Sequence, residues 1–599
     1  MKNFLFTLLF VALSIFALAQ QDTNPRAQWF VDSRYGMFIH WGVYSGAEGY
    51  WKGEKLRDDN DYAEWIYYRN RIDKEEYVTL LDRFDWDEID PEEWVILAKK
   101  AGMKYLTFTA KHHDGFALWD SDVSDYDVAD YTEPSRDIVK ELSQACKKHG
   151  IKFGLYYSHW VDWAHPYGWD HTREIYDLSE EEYAQYWQEK VIPQMRELLT
   201  QYGNIDMIWF DMWIHHSDAI VTKEQLMQLK NMIRELQPDC LINSRLGLSL
   251  EEDSDIDFKT LGDNQLGDRK EDFPWQSPAT VSHSWGYHRT DTEWKSVSTL
   301  LQSLISNVSL NGNFMLNIGP RSDGSVPHEM QQRLLKIGQW LEVNGESVYG
   351  ASAFDLPKDQ HDWGRITKKR MPDGSTKLYM HLFNWPYNEK LNVTGITSRP
   401  ERIYMLSDKQ EGKLEYQHTG ALTTVELPEM QTNPYNPVLV MEYDGYPSIK
   451  RGLAAKNLSG GFSLTPENAN KLEGDTTVDP AQKRGSIPPH VQVKHKSRYS
   501  WQIYVDGPKT LKADVSFSFQ GNQSAGTIKV TSADSMVQYK VKPTGMTVGE
   551  PNSDWHIKSF ESQDLGKIKL PEAGYYNISL EIEPEDEPID FQWLWLEER

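Results

Sequence analysis

The chain has 599 residues, a formal net charge of −27 at pH 7 and two cysteines. It is too long for a single hydrophobic core, so two or three domains are expected. The negative charge argues against nucleic acid and anionic membranes as partners, and two cysteines cannot form a disulfide framework. Aromatic residues make up 13% of the chain, with 23 Trp, which suits a protein that stacks rings on sugars, although aromatics also fill sandwich cores.

The N-terminus has the pattern of a secretory signal peptide. Lys2 supplies a positive charge, Phe4–Phe16 is an apolar run, and Ala17–Ala19 fits the small-x-small pattern of a cleavage site. No later stretch approaches the ~20 apolar residues of a transmembrane helix. We therefore expect residues 1–19 to be removed and the protein to be exported, either periplasmic or secreted, without membrane insertion. A buried N-terminal helix is the alternative.

Short apolar strands alternate with amphipathic helices over residues 20–350. The predicted strands are Gly36–His40, Tyr105–Ala110, Phe153–Tyr157, Met207–Asp211, Leu241–Ser244 and Phe314–Ile318. The predicted helices are Pro91–Ala101, Ile138–His149, Glu181–Tyr202, Lys223–Leu236, Thr292–Ser309 and His328–Asn344. This alternation predicts an α/β fold with a (β/α)8-like barrel. A doubly wound open sheet is the alternative, but no glycine-rich phosphate-binding turn follows a strand.

The remainder of the chain has the sequence pattern of β-strands. Residues 351–444 contain short strands separated by turn residues and are predicted to form a β-sandwich. Residues 445–490 are rich in Gly, Pro, Asn and Asp, which favours a linker or long loop. Residues 491–599 return to alternating strands and are predicted to form a second β-sandwich, which binds carbohydrate or only supports the barrel.

Polar and aromatic residues follow five of the predicted barrel strands. Reactive groups of such barrels lie at the C-terminal ends of the strands, so these residues are expected to form a pocket. Asp211 follows an apolar strand and is the candidate nucleophile for attack on an anomeric carbon; a salt bridge to Arg245 is the alternative role. His112 and His113 are adjacent and point to different sides, which favours recognition of sugar hydroxyls over a metal site.

These strand ends, in this order, resemble the α-L-fucosidase family of glycoside hydrolases (family 29). The resemblance covers about residues 29–350, with a weaker similarity to about residue 443. The matching motifs are Arg34–Gly42, Lys111–Phe116, Trp209–Asp211, Ser284–Tyr287 and Leu316–Pro320.

The resemblance implies an exo-acting, retaining α-L-fucosidase with Asp211 as the nucleophile. It implies a fucosylated oligosaccharide or polysaccharide as the substrate, and neither a metal nor an organic cofactor. Trp285 matches the aromatic residue that packs on the C5 methyl group of fucose. The positions that match residues holding the fucose ring are His40, Glu64, Trp65, His112, His113, Tyr157, Trp209 and Arg245.

The family's general acid/base, a glutamate, is missing from both positions at which the resemblance places it. Gln276 occupies one of these positions and Gly262 the other. An amide cannot supply the proton, and general acid catalysis is worth ~10²–10⁴-fold. The remaining candidates for the acid/base are Glu271, Glu252 and Asp263 in an acidic loop, and Glu64.

Three other functions remain open from the sequence. The first is a non-catalytic fucose-binding protein that has lost the acid/base glutamate, and the second is an enzyme limited to substrates with good leaving groups. The third is an α-L-galactosidase-like relative, whose substrate carries an additional hydroxyl group at C6 that Trp285 would disfavour.

Overall fold

The computed structural model describes residues 24–56, 61–169, 178–212, 220–431, 433–479, 489–521, 526–545, 558–585 and 587–598. The predicted signal peptide, residues 1–19, lies outside these ranges. No helix within them is both long and apolar enough to cross a membrane.

Eight parallel strands form the central sheet. They are β1 (Tyr35–Ile39), β2 (Tyr105–Lys111), β3 (Lys152–Tyr157), β4 (Met207–Phe210), β5 (Leu241–Ile242), β6 (Lys259–Thr260), β7 (Trp275–Thr280) and β8 (Asn313–Ile318). Their spatial order is β5-β4-β3-β2-β1-β8-β7-β6. A parallel bridge between Asn243 and Phe258 joins the two ends of this path. The sheet therefore closes, and the predicted (β/α)8-like barrel is confirmed.

Helices surround the sheet, and polar side chains cap several of them. Asp90 and Asp137 accept hydrogen bonds from backbone N–H groups in the first turns of the helices they precede, which satisfies donors that have no partner inside the helix. The helices are Gln28–Ser33, Ile66–Arg69, Lys74–Tyr77, Pro91–Lys100, Ile138–His149, Glu180–Tyr186, Ile192–Gln201, Lys223–Leu236, Val297–Val308 and His328–Asn344, with a π-helical turn at Trp187–Val191.

Large side chains fill the inside of the barrel. Gly36 makes room for one of them, because a Cβ atom at this position would lie 2.1 Å from the ring of Tyr105. Phe30, on the helix before β1, packs in the same cluster. The buried members of the cluster are Ala27, Phe30, Phe38, Tyr105, Tyr156, Met207, Trp209, Leu241, Phe258, Trp285 and Met315. The barrel is thus a packed core, and a pocket can form only at an end of it.

Antiparallel sheets follow the barrel. In the first sandwich, the five-stranded sheet contains Ser352–Ala353, Gly364–Arg370, Thr376–Leu382, Val438–Tyr443 and Arg402–Met405, in that order. The three-stranded sheet contains Lys390–Thr394, Leu422–Glu426 and Tyr416–Thr419. Leu378, Leu391 and Leu439 belong to the apolar cluster of these strands.

The second sandwich has one sheet built from Val478–Asp479, His490–Val493, Ile589–Glu598, Lys509–Ser518 and Glu561–Leu570. The other contains Lys471–Glu473, Ser497–Val505, Gly574–Pro584, Gly526–Ser532 and Ser535–Lys540. The strand Gly461–Leu464 pairs with the last strand of the chain. Three strands therefore lie within residues 445–490, where a linker or long loop was predicted, because segments of two to four residues are too short to show an alternating pattern.

Candidate active site

Asp211 lies directly after β4 and receives a hydrogen bond on each carboxylate oxygen. Arg245 Nη1 donates to Oδ1 over 2.7 Å, and the Tyr156 hydroxyl donates to Oδ2 over 3.0 Å. His113 Nε2 lies 3.6 Å from Oδ2. Trp160 Nε1 donates to the backbone carbonyl of Asp211 over 2.7 Å. The carboxylate is thus fixed in orientation while its side chain remains 15% exposed to the pocket.

His40, which follows β1, and His112, which follows β2, are buried and neutral. Burial lowers the pKa of His40 to about 4. The hydrogen bond that Nδ1 donates to Asn317 Oδ1 over 2.7 Å acts in the opposite direction and raises this pKa. Burial, and then the neighbouring His113 and His40, hold the pKa of His112 well below its usual range. Within the described residues, His112 Nδ1 is buried without a hydrogen-bond partner.

The histidines that follow β2 have hydrogen-bonding and stacking partners in the protein. In the part of the chain that the structure describes, no group of three or more His, Cys, Asp or Glu residues is arranged to hold a metal ion. His113 Nδ1 instead lies 2.7 Å from the Ser158 hydroxyl. The His112 ring stacks on Tyr156 with 5.3 Å between centroids and 8° between planes. These contacts fix the imidazoles for recognition of polar groups.

Glu64 and Trp285 lie together on another side of the pocket. The backbone N–H of Gly286 donates to Glu64 Oε2 over 2.9 Å. Burial raises the pKa of Glu64 to about 8, although the Gly286 N–H works in the opposite direction. The Trp285 ring is buried, with its centroid 5.1 Å from that of His40. This wall therefore combines an apolar face with a carboxyl group that is protonated at neutral pH.

Trp65 is part of an aromatic wall. Its ring lies 5.8 Å from His113 and 5.2 Å from Trp163, and Trp163 stacks on Tyr68 at 5.1 Å and 22°. Trp163 was not singled out from the sequence, although it follows β3 as the predicted site residues follow their strands. Asn317 was missed too: its amide joins His40 to the Trp285 carbonyl, which it reaches over 2.7 Å.

Tyr157, predicted to bind substrate, does not lie in the pocket. Its hydroxyl donates to Gln194 Oε1 over 2.9 Å on the helix Ile192–Gln201, and Lys111 Nζ lies 4.8 Å from its ring. Tyr156 faces the pocket instead. Successive side chains of a strand point to opposite sides of the sheet, so a prediction that is wrong by one residue selects the wrong face.

Trp209 lies beneath the pocket rather than in its wall. Its indole N–H donates to Gln276 Oε1 over 2.9 Å, and the Arg245 guanidinium lies 4.9 Å above its ring. Gln276 in turn donates from Nε2 to the Tyr105 hydroxyl over 2.8 Å. The Gln276 amide is fully buried inside the barrel. Gln276 therefore contributes to packing and supplies no proton donor at the pocket.

The four candidates for the acid/base lie in different places. Asp263 follows β6, and Arg245 Nη2 donates to its Oδ1 over 2.8 Å, so one guanidinium links Asp263 to Asp211. Glu64 faces the pocket as described above. Glu252 lies on an exposed turn, where it accepts from the Ser249 N–H over 3.2 Å.

Glu271 lies at the opposite end of the barrel. Its carboxylate pairs with Arg269 at 2.9 Å, and its carbonyl accepts from Asn311 Nδ2 over 3.4 Å. Asn311 lies two residues before β8, and its own carbonyl accepts from Arg34, which immediately precedes β1. Glu271 thus neighbours the N-terminal ends of the strands, far from Asp211.

Sequence comparisons identify relatives over the barrel and beyond it. A family model described as "Alpha-L-fucosidase" matches residues 16–346. The tissue alpha-L-fucosidase of Bos taurus is 28% identical over 421 residues, which cover 68% of this chain and 86% of that protein. The alpha-L-fucosidase of Dictyostelium discoideum is 30% identical over 354 residues, 56% of this chain and 74% of the relative.

Solved structures show the same similarity. The crystal structure of an alpha-L-fucosidase from Vibrio sp. strain EJY3 superposes with a TM-score of 0.75 and 27% identity, covering 97% of this chain and 99% of the other. An alpha-L-fucosidase from Bacteroides thetaiotaomicron, trapped as a covalent intermediate with 2-fluoro-fucosyl fluoride, gives a TM-score of 0.62 and 27% identity, covering 70% and 96% of the two chains.

Proposed function

This chain belongs to the α-L-fucosidase family of glycoside hydrolases, and from that premise we propose that it releases terminal α-L-fucose from oligosaccharides or glycoconjugates by a retaining double displacement. The covalent intermediate of the Bacteroides relative supports the retaining course. The buried face of Trp285 beside the neutral His40 suits a sugar that carries a methyl group at C5. No observation in the site favours a sugar-binding protein or an α-L-galactosidase over this enzyme.

The observation that carries the proposal is the pair of carboxylates on Arg245. Its Nη1 and Nη2 atoms bind Asp211 and Asp263 at 2.7 and 2.8 Å. Retaining glycosidases place a nucleophile and an acid/base carboxyl about 5–5.5 Å apart. A guanidinium with one carboxylate on each terminal nitrogen holds a separation of roughly this order.

We assign the nucleophile to Asp211 and the general acid/base to Asp263. In the first step, an Asp211 oxygen attacks the anomeric carbon, and Asp263 gives its proton to the departing glycosidic oxygen. In the second step, water attacks the glycosyl ester, Asp263 takes the water proton, and the Asp211 carboxylate is released. The imidazoles and Glu64 bind the ring hydroxyls throughout.

The nucleophile assignment is tested by hydrolysis of 4-nitrophenyl α-L-fucoside. The leaving group needs little protonation, so the assay reports on Asp211 rather than on the acid. Asp211→Asn should lower kcat/KM by ~10³-fold or more, with the fold retained in a circular dichroism spectrum. Fucose binding by the wild type without any turnover would favour the sugar-binding alternative.

The acid/base assignment is tested by the leaving group. Asp263→Asn should lower kcat/KM by ~10²–10⁴-fold on a fucosyl disaccharide, and much less on the aryl fucoside. Glu64→Gln should lower both rates by a similar factor, since a residue that binds the ring acts on both substrates. The reverse pattern would make Glu64 the acid.

The proposal includes export of the mature chain from about residue 20, to the periplasm or the medium. It also includes a division into a catalytic domain of residues 20–350 and two sandwich domains. The apolar clusters of the two sandwiches, which are separate from each other, support this division.

A further inference from the structure

The turn that carries Asp263 is exposed. Residues 262–265 close it, with the Gln265 N–H donating to the Gly262 carbonyl over 3.0 Å. Asp263 and Asn264 are both exposed residues, so apolar packing does not set the position of the Asp263 side chain. Hydrogen bonds to β7 hold the turn instead: Leu261 N donates to Gln276 O over 2.9 Å, and Asn264 N to Pro278 O over 3.0 Å.

Asn264 adopts the left-handed backbone conformation, with φ of +55°. Its side-chain oxygen accepts hydrogen bonds from the backbone N–H of Thr280 at 3.0 Å and from Lys295 Nζ at 2.8 Å. The Thr280 hydroxyl lies 3.1 Å from the same oxygen and donates its proton to the Ser282 carbonyl over 2.7 Å. One amide oxygen thus ties the turn to the end of β7.

Lys295 completes this arrangement through neutral oxygens. Besides Asn264, its ammonium donates to the Thr280 carbonyl over 2.7 Å and to the Thr280 hydroxyl over 3.1 Å. Thr280 itself is fully buried, so it gives the ammonium and the amide a rigid anchor. Hydrogen bonds that involve a charged partner are about twice as strong as neutral ones.

We propose that Asn264 and Lys295 are positioning residues that hold Asp263 where it can protonate the leaving oxygen. The inference rests on the proposed role of Asp263 and adds to it the device that fixes an exposed acid. Neither residue touches the substrate in this account. A displacement of about 1 Å can cost 10²-fold in rate. Without these contacts the turn would still carry Asp263, but Asp263 would protonate the leaving oxygen much more slowly.

Asn264→Gly tests the inference. Glycine accepts the left-handed conformation without strain, so the change removes the amide and keeps the backbone. We expect kcat/KM on a fucosyl disaccharide to fall by about 10-fold, while kcat/KM on 2,4-dinitrophenyl α-L-fucoside changes little. Asn264→Asp retains the acceptor oxygen and should restore the disaccharide rate.

The matched control is Asn311→Gly, a second left-handed asparagine, with φ of +71°, at the opposite end of the barrel. It should leave the ratio of the two rates unchanged. Should Asn264→Gly fail to fold, Lys295→Met should reproduce its selective loss. Azide, a nucleophile that needs no general base, gives a second readout for both variants. It should raise kcat on the activated substrate, because breakdown of the glycosyl–enzyme limits turnover there.

The outcomes separate this inference from the proposed function. If Asp263→Asn discriminates between the two substrates but Asn264→Gly and Lys295→Met lose activity equally on both, the contacts of Asn264 and Lys295 are merely structural and the inference is wrong. If Asp263→Asn itself does not discriminate, Asp263 is not the acid, and both its assignment and the positioning role of Asn264 and Lys295 are overturned.

Discussion

Tyr156 and Tyr157 are neighbours in the chain whose hydroxyl groups have different partners, the Asp211 carboxylate and the Gln194 amide. Tyr156→Phe should lower kcat/KM by about 10-fold or more on all substrates, because a hydrogen bond to a charged group is worth about 1.5–3 kcal/mol. Tyr157→Phe should leave kcat/KM near the wild-type value. It should lower the free energy of unfolding by about 1–3 kcal/mol, because the buried Gln194 oxygen loses its donor.

Paired steady-state kinetics and urea unfolding check this prediction. Each variant serves as the control for the other, since both remove one phenolic oxygen from the same strand. A loss of activity in Tyr157→Phe with unchanged stability would place Tyr157, not Tyr156, in the pocket.

Glu64 gives a prediction for the pH dependence of stability. Burial raises its pKa from the ordinary 4.5 to about 8, so between these values the folded chain binds a proton that the unfolded chain has released. Stability from this group is complete below pH 4.5 and is lost as the pH rises towards 8. Relative to the wild type, Glu64→Gln should therefore become more stable as the pH rises from 5 to 8.

Urea unfolding of the two proteins at both pH values gives the comparison. The difference should exceed about 1 kcal/mol, because one pKa unit corresponds to about 1.4 kcal/mol. An unchanged difference between the two pH values would mean that Glu64 titrates normally in the folded chain.

At the residue scale, the sequence predicts which strand ends carry the site better than it predicts which side chain faces the pocket. Asp211 and Arg245 follow their strands, as predicted, and they meet. Tyr157 lies one position from the correct residue. Nothing in the sequence separates Asp263 from Glu271, because the loop runs from one end of the barrel to the other between β6 and β7.

At the scale of elements, the loop after β3 depends on a buried charge cluster. Asp162 Oδ2 pairs with Lys111 and Lys190 at 3.2 and 2.8 Å, and its Oδ1 accepts from the backbone N–H of Ala164 and His165. Burial alone would raise the pKa of Asp162, but the two ammonium groups hold it below its usual value. The cluster fixes the turn that presents Trp163.

Asp162→Asn should destabilise the protein by about 3–5 kcal/mol, because it leaves two ammonium groups buried without a counter-charge. The thermal midpoint of unfolding measures the loss. The comparison is Asp253→Asn. Asp253 pairs with Lys230 at 2.6 Å nearer the surface, so this substitution should cost less stability. Equal losses of stability in the two variants would show that the deeper burial of Asp162 does not increase the contribution of its ion pairs.

The elements themselves differ in how visible they are in the sequence. Amphipathic helices such as Ile138–His149 and Lys223–Leu236 have the predicted bounds, since their periodicity extends over three or more turns. Strands β6 and β7 were missed. β6 has two residues, and β7 contains Gln276, Ser277 and Pro278, which read as a loop because proline is rare inside a sheet.

On the scale of the whole molecule, the two sandwiches relate differently to the barrel. Tyr379, Tyr404 and Val438 of the first sandwich belong to the same apolar cluster as the barrel. The second sandwich has a cluster of its own. Tyr575 of the second sandwich reaches the first through hydrogen bonds with the Thr419 carbonyl and the Ala421 N–H. The barrel and the first sandwich should therefore unfold together.

The proposed export is checked on the whole chain. Expressed with its N-terminus intact in a bacterial host, the protein should be recovered outside the cytoplasm with a mature chain that begins at Gln20. Replacing Leu8, within the apolar run, by Arg should keep it inside the cell at full length. A full-length protein outside the cytoplasm would contradict cleavage by a signal peptidase.

The closure of the barrel has a consequence for substitutions of Asp263. Strands β5 and β6 have two residues each, and the bridge between Asn243 and Phe258 joins them. The ion pair of Arg245 with Asp263 links the residues that follow these two strands, whereas the pair of Arg245 with Asp211 links β5 to β4. Replacing Asp263 should therefore remove a contact between the two closing strands as well as the proton donor that we propose.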